Sequence, residues 1–122
     1  MPTEELFHSI DEFIESVTSN DHFLKIFYSN IRSIKAGGKF QELKHKLAQL
    51  NYPDIIVLTE TWLREGEEVL FQIPDYTLFS VVRNNKRGGG IIAYVRKFLD
   101  CDIFSQFTCE TNFHQILSLS IK

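Results

Sequence analysis

The stretch Asp54-Ile55-Ile56-Val57-Leu58-Thr59-Glu60-Thr61-Trp62-Leu63 decides the fold. It is a run of apolar residues, most of them β-formers, that ends abruptly in one carboxylate, Glu60. Such a run is typical of a strand buried on both faces in the middle of an α/β sheet. Open α/β sheets bind their ligands at the carboxyl ends of the strands. The stretch therefore predicts a central strand with Glu60 at a ligand-binding edge.

A strand and a helix are predicted immediately before this stretch. Residues 23–28 are rich in aromatic and β-branched side chains and run into Asn30, while residues 39–50 have helical spacing. The apolar face of that helix carries Phe40, Leu43, Leu47 and Leu50. A strand, helix and strand of this length predict a βαβ crossover with two parallel strands. Asn30 and Glu60 are therefore expected at the same edge of one sheet.

Further short strands are predicted after this βαβ unit. A polar loop over residues 64–68 and a turn at 73–76 lead to a strand at 77–82. The basic, glycine-rich loop over residues 83–90 predicts a hairpin with a return strand at 91–95. Two more short strands are expected at 102–107 and 116–121. This order predicts an α/β (α+β) domain with mixed sheets.

The acidic N-terminal region has a different pattern. Residues 3–17 place their apolar side chains at helical spacing. These side chains are Leu6, Phe7, Ile10, Phe13, Ile14 and Val17. The pattern predicts an acidic amphipathic leader helix within residues 1–22, which packs on the domain formed by residues 23–122. A helix that binds a partner protein is the alternative.

Composition excludes several classes of protein. The 122 residues carry a net charge of −3, so any contact with nucleic acid must come from a local basic patch. The sequence shows neither a secretory signal at its start nor an apolar run of membrane-spanning length. Cys101 and Cys109 form no CxxC pair and are expected to be reduced thiols. These features predict an intracellular protein, nuclear or cytoplasmic, without a membrane partner.

The polar residues at the predicted sheet edge and in the basic loop best suit one reaction, the hydrolysis of a phosphodiester with the help of a divalent metal. It needs a carboxylate for the metal, a group that fixes the phosphate, and cations along the nucleic-acid backbone. Glu60 can supply the carboxylate, and the amide of Asn30 can bond a phosphate oxygen or a metal-bound water. The cations are Arg83, Lys86 and Arg87. Each residue alone has an ordinary explanation, as a turn former, a cap or a solvated hairpin.

The sequence gives no support to other common sites. The glycines at 37–38 and 88–90 match neither the GxxxxGK[ST] nor the GxGxxG spacing of nucleotide-binding loops. The four histidines are scattered, without the spacing of a zinc site. No cysteine is accompanied by the histidine that a cysteine nucleophile needs nearby.

Taken together, three segments resemble one family. They are Ser29-Asn30-Ile31-Arg32-Ser33, the stretch 54–63, and the run from Arg83 through the triple glycine to Val95. Their combination resembles the start of the endonuclease/exonuclease/phosphatase superfamily. Within it, the pattern is most similar to the apurinic-endonuclease-like domain of non-LTR (LINE-type) retrotransposons. The resemblance covers residues 23–122.

This resemblance implies a fold and an activity. The fold would be part of a four-layer α/β sandwich, in which two mixed sheets are flanked by outer helices. The activity would be Mg²⁺-dependent nicking of target DNA, which in a whole element primes reverse transcription. Asn30 and Glu60 match catalytic residues of the family, and Glu60 matches its metal ligand. The loop with Arg83, Lys86 and Arg87 matches a surface loop near the DNA.

The sequence also departs from the family pattern. The later active-site residues of the family are a Tyr, an Asp-x-Asn pair, a further Asp and a terminal Asp-His pair, and none is matched within these 122 residues. Asp75 stands where the family usually has Gly. We therefore expect about half of the endonuclease domain, inactive alone and able to self-associate through an uncovered sheet. The alternatives are a non-enzymatic remnant that binds nucleic acid or protein, and a chain without a folded product.

Overall fold

The computed structural model describes residues 12–19, 22–82, 88–103, 109–110, 115–116 and 119–121, with side chains described for 24–82 and 88–101. The larger elements are β1 (Glu12–Ser19), β2 (His22–Asn30), α1 (Lys39–Gln49), β3 (Ile55–Thr59), a 3-10 helix (Glu67–Phe71), β4 (Tyr76–Val81) and β5 (Ile91–Arg96). Four short strands follow: β6 (Cys101–Ile103), β7 (Cys109–Glu110), β8 (Gln115–Ile116) and β9 (Leu119–Ile121).

The main sheet has five strands in the order β1-β2-β3-β5-β4. Strands β2 and β3 are parallel, and every other neighbouring pair in this sheet is antiparallel. Strand β6 pairs with β9 and β7 pairs with β8, each as a two-stranded antiparallel sheet. A mixed sheet with a crossover helix is the α/β (α+β) class that the sequence predicts.

Helix α1 covers one face of the sheet and closes the core. Its apolar spacing places Leu43 and Leu47 against Phe27 of β2 and Ile56 of β3 in one buried cluster. Gly38 precedes the helix with a φ of 78°, a left-handed conformation that glycine adopts without cost. Within the described residues, no helix combines the length and the apolar character needed to cross a membrane.

The βαβ prediction is confirmed. Strand β2 runs through Asn30, α1 begins at Lys39 as expected, and β3 begins at Ile55. The predicted hairpin is also present, because β4 and β5 pair antiparallel over six residue pairs from Tyr76↔Arg96 to Val81↔Ile91. Residues 83–87 of the basic loop lie outside the described residues.

The leader helix is wrong over its described part. Residues 12–19 form β1, which pairs antiparallel with β2 from Glu12↔Ser29 to Ser19↔His22. The reason is tertiary: without β1, the outer edge of β2 would present unpaired N–H and C=O groups, and a neighbouring strand satisfies them. The weak helical preference of this segment does not outweigh that pairing. Residues 1–11 lie outside the described part of the chain.

Three smaller differences concern loops and ends. The segment predicted as a polar loop leads into the 3-10 helix, where the Glu67 carboxylate accepts hydrogen bonds from Arg64 N (2.7 Å) and Lys35 Nζ (3.0 Å). These bonds hold the pKa of Glu67 below its ordinary value. The strand predicted at 116–121 is divided between β8 and β9, which belong to different ladders. Of the strand predicted at 102–107, residues 102–103 belong to β6 and the remainder lies outside the described residues.

Candidate active site

Asn30 and Glu60 lie at the same edge of the sheet, as predicted. In the parallel pair of β2 and β3, Asn30 is aligned with Thr59, the residue before Glu60. Ile31 N then donates to Thr59 O at 2.9 Å, so the two strands end together. The carboxyl ends of these strands form the position at which α/β sheets bind ligands.

The side chain of Glu60 is oriented by two donors. Its Oε1 accepts a hydrogen bond from Trp62 Nε1 at 2.9 Å and a longer one from Gly89 N at 3.4 Å. Both donors bind the same oxygen, so neither of them engages Oε2. Hydrogen bonds to one carboxylate oxygen fix the rotamer and leave the other oxygen available for a ligand.

Asn30 has an unused acceptor. Its Oδ1 is buried and has no hydrogen-bond partner among the described residues. On the same face of the sheet, the Tyr28 hydroxyl and Thr59 Oγ1 lie 3.0 Å apart and bond each other. A buried oxygen without a donor is costly for a protein, and such atoms mark sites where a water, an ion or a ligand is bound.

The backbone at the end of β3 is held on both sides. On the β2 side, Ser33 N donates to Glu60 O at 2.8 Å and Ile34 N to Thr61 O at 3.1 Å. On the β5 side, Trp62 N donates to Gly89 O at 2.8 Å. These bonds continue the ladders past the regular strand, so Glu60 sits on a rigid support.

Four residues at this edge other than glycine have a left-handed backbone. Their φ values are 47° at Arg32, 78° at Ser33, 56° at Glu60 and 61° at Trp62. Each such residue costs on the order of 1–2 kcal/mol relative to ordinary backbone. Strain of this kind persists only where surrounding contacts impose it, and it concentrates at functional sites.

Gly90 allows β5 to approach the end of β3. A Cβ at this position would clash with Thr61 Oγ1, and the φ of Gly90 is 96°. Both facts require glycine. The triple glycine of the sequence thus has a structural role beside Glu60, since Gly89 supplies a donor and Gly90 supplies space.

The sequence did not identify three further residues around the site. Trp62 and Gly89 hold the carboxylate of Glu60, as described above. Lys39, at the start of α1, donates from Nζ to Ile31 O at 2.7 Å and to Arg32 O at 2.9 Å. It therefore fixes the turn that follows Asn30. No motif signals these roles, because they depend on backbone conformations that only the folded chain has.

The basic residues predicted to contact nucleic acid are Arg83, Lys86 and Arg87, and they lie outside the described residues. The described residues immediately before and after positions 83–87 lie at the edge of the sheet that carries Glu60. Val81 ends β4 opposite Ile91, and a Cβ added at Gly88 would lie 3.8 Å from Glu60 Oε1. The described residues that precede and follow positions 83–87 therefore lie at the same edge of the sheet as Glu60.

Glu60 and Asn30 both offer oxygen atoms at this edge of the sheet. Within the described part of the chain, no three His, Cys, Asp or Glu side chains are grouped as metal ligands. Mg²⁺ commonly takes only one or two protein oxygens, keeps several waters and binds substrate phosphate. The Glu60 carboxylate and the unpartnered Oδ1 of Asn30 are oxygen donors of that kind.

Comparison with known proteins adds no assignment. No family model matches the sequence, and no curated protein matches it either.

Proposed function

We propose that this chain is the N-terminal part of a magnesium-dependent DNA endonuclease domain of the endonuclease/exonuclease/phosphatase superfamily. The sequence pattern is most similar to the domains that nick target DNA for non-LTR retrotransposons. On this proposal the described sheet is one of the two sheets of a four-layer sandwich. Asn30 and Glu60 are the part of the active site that this chain supplies.

One observation carries the proposal. Asn30 and Glu60 end two adjacent parallel strands, and Glu60 is oriented by Trp62 and Gly89 while Oδ1 of Asn30 is left without a partner. A turn former or a helix cap would use its side chain on the local backbone. Neither residue does so among the bonds that the structure describes.

The roles of the residues follow from their donors and acceptors. Glu60 would hold the metal through Oε2, and Asn30 would hold a phosphate oxygen or a metal-bound water. When bound, the metal would supply Lewis-acid polarisation of the phosphate and lower the pKa of a water. Neither Asn30 nor Glu60 is placed to act as the base for that water while serving these roles. The 122-residue chain is therefore expected to bind without cleaving.

A second candidate function is binding of nucleic acid without any catalysis. Its support is the cluster of Arg83, Lys86 and Arg87, since the described residues before and after positions 83–87 lie at the same edge of the sheet as Glu60. Changing all three to Ala should abolish salt-dependent binding if this cluster contacts phosphates. Absence of binding at low salt would eliminate the nucleic-acid version of this alternative.

The two functions differ in their dependence on metal. We expect the affinity for a short DNA duplex, measured by fluorescence anisotropy at constant ionic strength, to be higher with Mg²⁺ than with EDTA. The difference should disappear in Glu60→Gln and persist in Glu65→Gln, a change of an exposed glutamate. Equal affinity with and without Mg²⁺ would favour the purely binding module.

A nicking assay tests the expected incompleteness. With supercoiled plasmid and Mg²⁺, the 122-residue chain should produce no more nicked product than buffer. Robust nicking that is lost in Glu60→Ala would show instead that the chain contains a complete catalytic site.

A further inference from the structure

A second cavity lies at the end of the sheet opposite Glu60. Its volume is about 380 Å³, and it is bounded by the second half of α1, the turn before β4 and the end of β5. Arg96 N donates to Asp54 O at 2.9 Å, which places the cavity at the amino end of β3. Strand β3 has 5 residues, so about 17 Å separates its two ends.

Arg96 is a partly buried cation of this cavity, and its guanidinium also bonds the Tyr76 hydroxyl. Its guanidinium lies 5.7 Å from the centre of the Tyr76 ring and 5.5 Å from that of Phe98. The Nε atom is buried and has no hydrogen-bond partner among the described residues. No described carboxylate forms an ion pair with this residue. A desolvated guanidinium gains most from an anion that accepts its hydrogen bonds.

Lys44 adds a second positive charge. It lines the cavity from α1, with its Nζ 4.7 Å from the centre of the Phe40 ring. Among the described residues of the lining, Asp75 supplies the one carboxylate, and it is exposed. Lys44 and Arg96 therefore offer two cationic donors to an anionic ligand, while Asp75 in the lining and Asp54 near Tyr76 offset part of their charge.

The rest of the lining is apolar. Leu47 and Ile73 are buried beneath the cavity, Pro74 lies beside them, and the half-exposed ring of Tyr52 stands at the mouth. Ligand pockets of proteins are commonly a few hundred cubic ångströms, mostly apolar with a few placed polar groups. The dimensions and lining therefore suit one ring that carries one anionic group.

We propose that this cavity binds a small aromatic anion, with the anionic group on Lys44 and Arg96 and the ring on Ile73 and Pro74. The site is independent of Asn30 and Glu60. It belongs to the opposite end of the sheet, and its chemistry needs no metal.

The probe for this proposal is phenyl phosphate, added to the ¹⁵N-labelled full chain and followed by NMR. We expect saturable shifts of the amides of Tyr52, Ile73 and Arg96, with a dissociation constant on the order of 1 mM for a ligand of this size. Benzyl alcohol lacks the charge and inorganic phosphate lacks the ring. Each should bind at least about tenfold more weakly.

Variants separate this site from unspecific binding. Arg96→Gln should weaken binding of phenyl phosphate by about tenfold or more, because it removes a charge-assisted bond. Lys44→Gln removes the second positive charge, on α1, and should also weaken binding of phenyl phosphate. The dispersion of the NMR spectrum reports whether each variant is folded. Arg64→Gln changes an exposed arginine outside the cavity, so this variant should bind phenyl phosphate as the parent does.

Three results would overturn the proposal. They are the absence of shifts around the cavity, equal affinity for benzyl alcohol, and an equal loss of binding in Arg64→Gln and Arg96→Gln.

Discussion

Hydrogen bonds from neighbouring residues hold both the side chain and the backbone of Glu60 in place. A left-handed residue at the end of a buried strand is costly, yet four such residues cluster here and their backbone groups are bonded on both sides. The bonds from Trp62 and Gly89 to Oε1 then select one orientation of the carboxylate. We expect this rigidity to serve a ligand, because it has no evident benefit for stability.

Gly90 gives a first prediction at this scale. Gly90→Ala should destabilise the chain by about 3 kcal/mol, since the new Cβ would meet Thr61 Oγ1 and the φ of 96° is unfavourable for alanine. Urea denaturation of the parent and the variant measures this decrease in the free energy of unfolding.

Two other glycines provide matched controls for that change. Gly66 also has a left-handed backbone, with a φ of 88°, but open space surrounds it. Gly66→Ala should therefore lower the free energy of unfolding by only about 1 kcal/mol. Gly37 has neither a left-handed backbone nor a close neighbour, so Gly37→Ala should leave stability unchanged or raise it by about 0.5 kcal/mol. Equal losses for Gly66→Ala and Gly90→Ala would mean that the contact with Thr61 contributes nothing.

Tyr94 gives a prediction for alkaline pH. Its hydroxyl donates to Phe71 O at 2.6 Å, and burial raises the pKa of Tyr94 well above the ordinary 10.0. The folded state therefore favours the neutral phenol. The stability that this provides is complete below pH 10 and is lost as the pH rises further, because only the unfolded chain then releases the proton.

The test compares the parent chain with Tyr94→Phe. Between about pH 9 and pH 11, the unfolding free energy of the parent should fall more steeply, by up to about 1.4 kcal/mol per pH unit for this one group. Parallel pH profiles of the two proteins would show that Tyr94 ionises as easily in the folded state as in the unfolded one.

At the scale of elements, the sequence predicts α1, β2, β3 and the β4–β5 hairpin correctly. The helix has period 3.6 where one of its faces meets the sheet, and β3 has the continuous apolar run of a central strand. The expectation that β3 is buried on both faces is met only in part, because Val57 and Thr59 are partly exposed. The 3-10 helix has no such period. It depends on bonds from Arg64 N and Lys35 Nζ to Glu67, which single residue types do not reveal.

Strand β1 shows where pattern reading fails. The apolar residues Phe13, Ile14 and Val17 fit a helical face, but the same segment also contains the β-branched residues of a strand. The open edge of β2 decides between them, and the edge exists only once β2 has paired with β3. Local sequence therefore cannot settle this element.

The pairing of β1 is directly measurable. We expect Cα and Cβ chemical shifts of residues 12–19 to have the sign of a strand, with amide cross-peaks to β2 in the register Ile14↔Phe27. Helical shifts across residues 12–17 would restore the original prediction and contradict the five-stranded sheet.

The candidate site was predicted in part. The positions of Asn30 and Glu60 follow from topology, because parallel strands of one βαβ unit end at one edge. The roles of Trp62, Gly89 and Lys39 do not follow, since they require a left-handed turn after β3 and after β2. Asp75 is a related case: its φ of 71° is a left-handed conformation that glycine adopts most easily, and the local sequence does not reveal it.

At the scale of the whole molecule, the two faces of the main sheet differ. On the α1 face, Ile56, Leu58 and Ile92 are fully buried. On the opposite face, Val57 and Phe79 remain partly exposed, whereas Ala93 and Val95 are buried. Partly exposed apolar side chains on one sheet face favour association with another surface.

We therefore predict that the chain self-associates through this face. Sedimentation velocity should show a concentration-dependent increase in mean mass, and Val57→Thr with Phe79→Thr should reduce it. Val69→Thr is the matched control, because Val69 is 61% exposed but lies on the 3-10 helix. A monomer at every concentration, or equal loss of association in the control, would contradict the prediction.

The central claim is that Glu60 belongs to a divalent-metal site, and Trp62 offers a direct measurement of it. Trp62 is the single tryptophan of the sequence and bonds the Glu60 carboxylate, so paramagnetic Mn²⁺ bound there should quench its fluorescence. We predict saturable quenching, with affinity at least about tenfold lower in Glu60→Gln, the minimum expected for loss of a metal ligand, and unchanged in Glu65→Gln. Quenching that does not saturate, or that is the same in Glu60→Gln as in the parent chain, would contradict the claim.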